Sequence, residues 1–124
     1  MVEIINVDSD TDFFAQLDDD GGPVTLVNTF VVPEGKYDQM VEAWRLDSEV
    51  MKAAKGFISA QLYRGIHGSR VVTNVAVWES AEDLRNAINS EGFIAVLSKY
   101  PEGTVAYPHL LRRVAVPGVC TSTS

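Results

Sequence analysis

The chain has 124 residues, 46% of them hydrophobic, a formal net charge of −7 and one cysteine. That is the length of a single domain able to bury a core unaided, and the lone Cys120 excludes disulfide scaffolds, CxxC redox motifs and cysteine-rich zinc sites. No apolar run approaches the roughly 20 residues that cross a bilayer, and no basic stripe with interleaved aromatics points to nucleic acid.

The negative charge is concentrated at the start. Residues 1–20 hold Glu3, Asp8, Asp10, Asp12, Asp18, Asp19 and Asp20 and no base, leaving ten acids and ten bases for the remainder. Early acids without a basic cluster do not make a secretory signal, so the default expectation is a cytoplasmic protein. Residues 1–23 are expected to form an acidic, solvated arm, although Phe13-Phe14-Ala15-Gln16-Leu17 has the make-up of a short helix that would lie on the domain or on a partner subunit. Gly21-Gly22-Pro23 closes the arm.

Val24 to Val32 reads as the first strand, with Leu26, Asn28 and Phe30 on one face and Thr25, Val27, Thr29 and Val31 on the other. A helix then runs from Pro33-Glu34-Gly35 to about Ala54, with Tyr37, Met40, Val41, Trp44, Ser48 and Met51 along its inner side and Gly56 as its stop. That stripe is core material, and Trp44 is its one candidate for touching a ligand. Phe57 to Arg64 and Arg70 to Trp78 form a hairpin across Gly65-Ile66-His67-Gly68, where His67 is a turn residue without a role. In the second of these strands Val72, Asn74, Ala76 and Trp78 share a face. Asn74 and Trp78 therefore place an amide and an indole N–H on one buried surface, where each needs a hydrogen-bond partner.

Ser80-Ala81-Glu82-Asp83 is a capping pattern opening a helix with Leu84, Ala87 and Ile88 inward. Gly92 is expected to break it, with Phe93, Val96, Leu97 and Tyr100 resuming the helical spacing. Val105 to Val116 is a last strand, in which Pro108 implies an edge or a bulge. Residues 117–124 are expected to be a flexible tail.

This order of elements predicts an α+β fold of the ferredoxin-like, split βαβ type: an antiparallel four-stranded sheet with its helices on one face, spanning residues 24–116. First and third strands are neighbours in that plan, so Asn28 and Asn74 meet on the helix side. The opposite face, with Val27, Val31, Val71, Val75 and Val77, is left uncovered and predicts a homodimer, a dimeric α+β barrel.

Asn28 followed by Thr-Phe-Val-Val-Pro-Glu-Gly, the Gly56-Phe57-Ile58-Ser59 strand start, Asn74-Val-Ala-Val-Trp78-Glu79-Ser80 and Gly92-Phe93 together resemble the antibiotic biosynthesis monooxygenase family over about residues 24–116. The resemblance implies a small homodimer that oxidises an aromatic polyketide, an anthrone or a phenol, to a quinone with molecular oxygen, using neither flavin, haem nor metal. It matches Asn74 and Trp78 to the pocket pair of the quinone-forming branch, and Tyr63 to a position where that branch can have a histidine. Leu84 replaces a pocket tyrosine of that branch, and a pocket arginine late in the second helix has no counterpart. Against the haem-degrading branch Asn28 matches a first-strand asparagine, but the iron-binding histidine falls on Leu97, and leucine cannot ligate iron.

The chemistry so implied asks for an enolate held by neutral donors in a dry site, a role suited to Asn28, Asn74 and Trp78. Trp44, Tyr63, Leu84, Phe93 and His109 are the candidate substrate-contacting residues. Tyr63, His109 or the acidity of the substrate itself are the options for the base. Two other readings stand beside this one: a non-redox, polyketide-binding or cyclase-like pocket of the same fold, and a structural dimer with a filled core in which Asn28 and Asn74 hydrogen-bond each other.

Overall fold

The structure, a computed structural model, describes residues 2–122. The chain runs through β1 (Glu3–Ile4), α1 (Phe13–Gln16), β2 (Val24–Val31), α2 (Tyr37–Lys52), β3 (Phe57–Arg64), β4 (Val71–Trp78), α3 (Ala81–Ile88), α4 (Glu91–Leu97) and β5 (Val105–Leu111). The sheet order is β1-β5-β2-β4-β3. Strands β2 to β5 are the antiparallel set of the ferredoxin-like plan, and the sequence expectation is corrected by one strand. β1 adds to the β5 edge in parallel, pairing Glu3 with Val105 and Ile4 with Ala106, so the sheet is five-stranded and mixed.

That addition explains how β5 tolerates a proline. Its outward backbone groups belong to Thr104, Ala106, Pro108 and Leu110. The amides of Glu3 and Ile5 bond the carbonyls of Thr104 and Ala106. The Gln16 side chain then imitates a strand, donating to the Leu110 carbonyl at 3.1 Å and accepting from its N–H at 2.8 Å. Pro108 falls between them, on the side of β5 turned away from β2, so its missing N–H takes no bond from the β2 pairing.

Alternation decides which face is buried. Val24, Leu26, Phe30, Val72, Ala76, Trp78, Ala106 and Leu110 are buried under helices that contribute Met40, Ala43, Leu84 and Ala87. On the other face Val27, Val31, Val71, Val75 and Val77 stay half-buried, and no helix among the described residues covers them.

Three local expectations are corrected. The arm is folded onto the domain rather than solvated: Asn6 Oδ1 accepts from the Phe13 amide at 2.9 Å, and Phe13 and Leu17 are both buried in the core. Three of its acids are tied in: Asp12 caps α1, Asp18 pairs with Arg85 at 2.9 Å and Asp19 with Arg112 at 2.6 Å. The second helical segment breaks before Gly92, at Asn89-Ser90, because Ser90 caps a new helix by accepting from the Phe93 amide at 3.3 Å. Gly92 lies inside α4, where a Cβ would come within 3.2 Å of Val50 Cγ1, so its role is to let α4 approach α2. Finally β5 ends at Leu111, where pairing with β2 stops, and Arg112 turns out to the Pro23 carbonyl and Asp19. Beyond it Val116 and Cys120 close an exposed turn; Thr123 and Ser124 of the predicted tail lie outside the described residues.

Candidate active site

Between the helical face of the sheet and α1, α2, α3 and α4 lies a cavity of about 950 Å³. That volume is at the upper end of the range for small-molecule sites. Its floor is a row across the sheet set by register: Pro108 of β5 opposite Asn28 of β2, and Asn28 opposite Asn74 of β4. Trp78, two inward positions further along β4, meets the Phe57 ring edge-on at 5.5 Å.

Of the residues predicted to form the site, Asn28, Asn74, Trp78, Trp44, Leu84 and Phe93 all line this cavity. Tyr63 and His109 do not, and for them the expectation is corrected. Tyr63 sits opposite Thr73 and His109 opposite Val27, which is the uncovered face, so the sheet itself separates both from the cavity of their own chain. Leu97 lines the cavity as a leucine must, through apolar contact, and no histidine is found in its lining among the described residues.

The two asparagines face each other across adjacent strands, yet neither amide makes a side-chain hydrogen bond among the described residues. Each leaves a buried Oδ1 without a partner. Such groups are unfavourable by about 1–3 kcal/mol each unless something bonds them. The reading of Asn28 and Asn74 as a mutually satisfied pair in a filled core is thereby overturned, because the pair is unbonded and the core beside it is hollow.

One cavity group was missed by sequence reasoning. Asp47 projects from α2 three residues after Trp44 and four before Met51, so it occupies the inner stripe, where a lone acid among apolar neighbours is the signal that would have found it. Its Oδ2 accepts a 2.6 Å hydrogen bond from the Tyr100 hydroxyl, while Oδ1 is buried without a partner. Burial pushes its pKa up from 3.8 to about 6, against the opposing effect of the Tyr100 hydrogen bond. Tyr100 is stacked on Phe30 at 5.7 Å. Burial first, and the Asp47 charge second, raise its pKa, so its hydroxyl remains a donor. The arm, too, contributes wall that was not foreseen, through Val2, Ile4, Phe13, Phe14 and Leu17. Arg85, held by Asp18, and Glu102 are the charged residues bordering the cavity besides Asp47.

Comparison with known proteins places this geometry. The sequence profile of the antibiotic biosynthesis monooxygenase family matches residues 23–99. Among solved structures, the chain is similar to SnoaB, a cofactor-independent oxygenase from Streptomyces nogalater, at 20% identity and a TM-score of 0.71, over 79% of this chain and 99% of that one. It is also similar to a protein from Shewanella loihica PV-4 assigned provisionally as a monooxygenase, at 32% identity and a TM-score of 0.65, over 76% of this chain and 96% of that one. No curated protein matches it in sequence. A ferredoxin-like sheet, a cavity under its helices and a family profile spanning most of the domain lead to one conclusion: the chain belongs to the antibiotic biosynthesis monooxygenase family.

Proposed function

We propose that this protein is a cofactor-independent monooxygenase that oxidises an aromatic polyketide of the anthrone or phenol type to a quinone with molecular oxygen, and that it works as a homodimer joined through the uncovered sheet face. The observation that carries this reading is the pair of unpartnered amides on adjacent central strands, set beside Trp78 in a large, mostly apolar cavity.

The chemistry follows from what such a cavity favours. An anthrone methylene loses one proton to give a delocalised anion, and the Nδ2–H groups of Asn28 and Asn74 with the Trp78 indole N–H donate to the charge on its oxygen. The anion passes one electron to oxygen, and recombination of the two radicals forms a C–O bond. The resulting peroxide takes up a proton. Loss of the second C–H proton with cleavage of the O–O bond leaves a carbonyl, and the departing oxygen leaves as water. One oxygen atom enters the product, and the two hydrogens of the methylene end in water. Apolar walls keep bulk water from the charged intermediates.

Oxygen uptake and quinone absorbance, measured with the anthrone dithranol and protein dialysed against chelator with no flavin, nicotinamide or metal added, test this directly. Catalysed uptake matched by quinone formation is the expected result. Saturable binding without uptake above the uncatalysed rate would instead favour the polyketide-binding or cyclase-like reading, to which the fully buried Leu84, in place of a pocket tyrosine, lends its support.

A further inference from the structure

We propose that Asp47 is the general base of this cavity and that Tyr100 is the residue that positions its carboxylate. The inference rests on the oxygenase reading and supplies a step that neither Tyr63 nor His109 can perform from the far face of the sheet.

The geometry has three parts. Asp47 lines the same cavity as Asn28, Asn74 and Trp78, so a ligand resting on the amides is within the enclosure that holds the carboxylate. The Tyr100 hydroxyl fixes Oδ2 at 2.6 Å, and the stacking of Tyr100 on Phe30 holds that hydroxyl in place. Oδ1 has no partner among the described residues and is the free acceptor. A structural carboxylate in an apolar setting is normally satisfied on both oxygens or paired with a cation, and this one is neither.

Its surroundings suit a base. With a pKa of about 6, Asp47 is ionised at neutral pH yet more basic than an ordinary carboxylate, closer to the acidity of an enolisable phenol or anthrone. The groups that face it are few. Tyr100 is the titratable side chain in direct contact, Arg85 from α3 is tied to Asp18, and Glu102 borders the cavity ahead of β5. The sheet and the arm present amides and apolar side chains to this space.

Protons balance around a single carboxylate. Asp47 takes the first proton from the substrate methylene and returns it to the peroxide. As a carboxylate again it takes the second C–H proton while the O–O bond breaks, and passes it to the departing hydroxide to give water. Oxygen is the oxidant and the substrate carbon is oxidised. Asp47 ends as it began.

The test is an anaerobic titration of dithranol into the protein, reading the absorbance of the bound anion across pH, followed by admission of oxygen. The wild type is expected to show an anion band that rises through a midpoint near 6, the Asp47 value. Asp47→Asn, which keeps an acceptor for Tyr100, is expected to bind dithranol, lose the band and lose about 10²–10⁴-fold in turnover. Tyr100→Phe removes the hydrogen bond that lowers the Asp47 pKa, so its midpoint moves to higher pH, a shift that a merely structural tyrosine would not produce. An anion band in Asp47→Asn equal to that of the wild type would overturn the proposal and leave the oxygenase reading intact, as would turnover in a wild type that forms no anion. An Asp47-dependent anion that persists when oxygen is admitted would uphold the base and overturn the oxygenase reading.

Discussion

Asn74→Ala separates chemistry from stability because the wild-type amide makes no side-chain hydrogen bond among the described residues. A structural asparagine would lower the melting temperature when removed. An unpartnered one near an oxyanion should leave stability equal or higher and lower turnover by at least about tenfold, toward the 10²–10³ typical of a lost oxyanion donor. Oxygen uptake per folded molecule and a melting curve on the same sample check both halves, and Trp78→Phe, which keeps the ring and removes the N–H, isolates the indole's contribution. Asp47 makes the opposite kind of prediction. Its folded pKa lies above the unfolded 3.8, so the native state binds more protons between about 4 and 6, and stability is lost as pH rises through that window. The loss is on the order of 2–3 kcal/mol above pH 7. Asp47→Asn should therefore melt higher than the wild type at pH 7 and show no such advantage near pH 4; equal melting temperatures at both would place the carboxylate in water.

At the level of elements, the arm is where sequence and structure part most clearly. Phe13 and Leu17 stand four apart, the spacing of one helical face, and that was readable. What hid the result was the surrounding charge, because seven acids in twenty residues resemble a solvated leader unless one knows that Arg85 and Arg112 lie opposite. Partners 67 and 93 residues away cannot be read from local composition. Strand parity, by contrast, is a local property, which is why Asn28, Asn74 and Trp78 were placed on one face correctly. The same rule excludes His109 through its pairing with Val27, and for Tyr63 it needs the absolute register, which a bulge between Phe57 and Ser59 in β3 fixes. Gln16→Ala tests the arm's structural role. It strips both hydrogen bonds from the Leu110 backbone and should destabilise the fold by about 1–3 kcal/mol while speeding exchange of the Leu110 amide. Unchanged protection at Leu110 would show that the arm lies on the sheet without holding its edge.

For the molecule as a whole, two surfaces carry the proposal: the cavity under the helices, and the sheet face that no helix among the described residues covers. Light scattering at micromolar concentration should give twice the 13.6 kDa of the monomer, and a monomeric mass would remove the barrel from the account. The same face carries Tyr63, Tyr107 and His109, so dimerisation would enclose them between the sheets rather than in the cavity. The central claim, oxygen insertion by a cavity that supplies only side chains, is tested most directly with isotopically heavy oxygen gas. Dithranol turned over by cofactor-stripped protein should yield a quinone with one heavy oxygen per molecule, with one oxygen molecule consumed for each quinone and little product from Asn74→Ala. A quinone without the label, or labelled product formed equally fast without the protein, would contradict it.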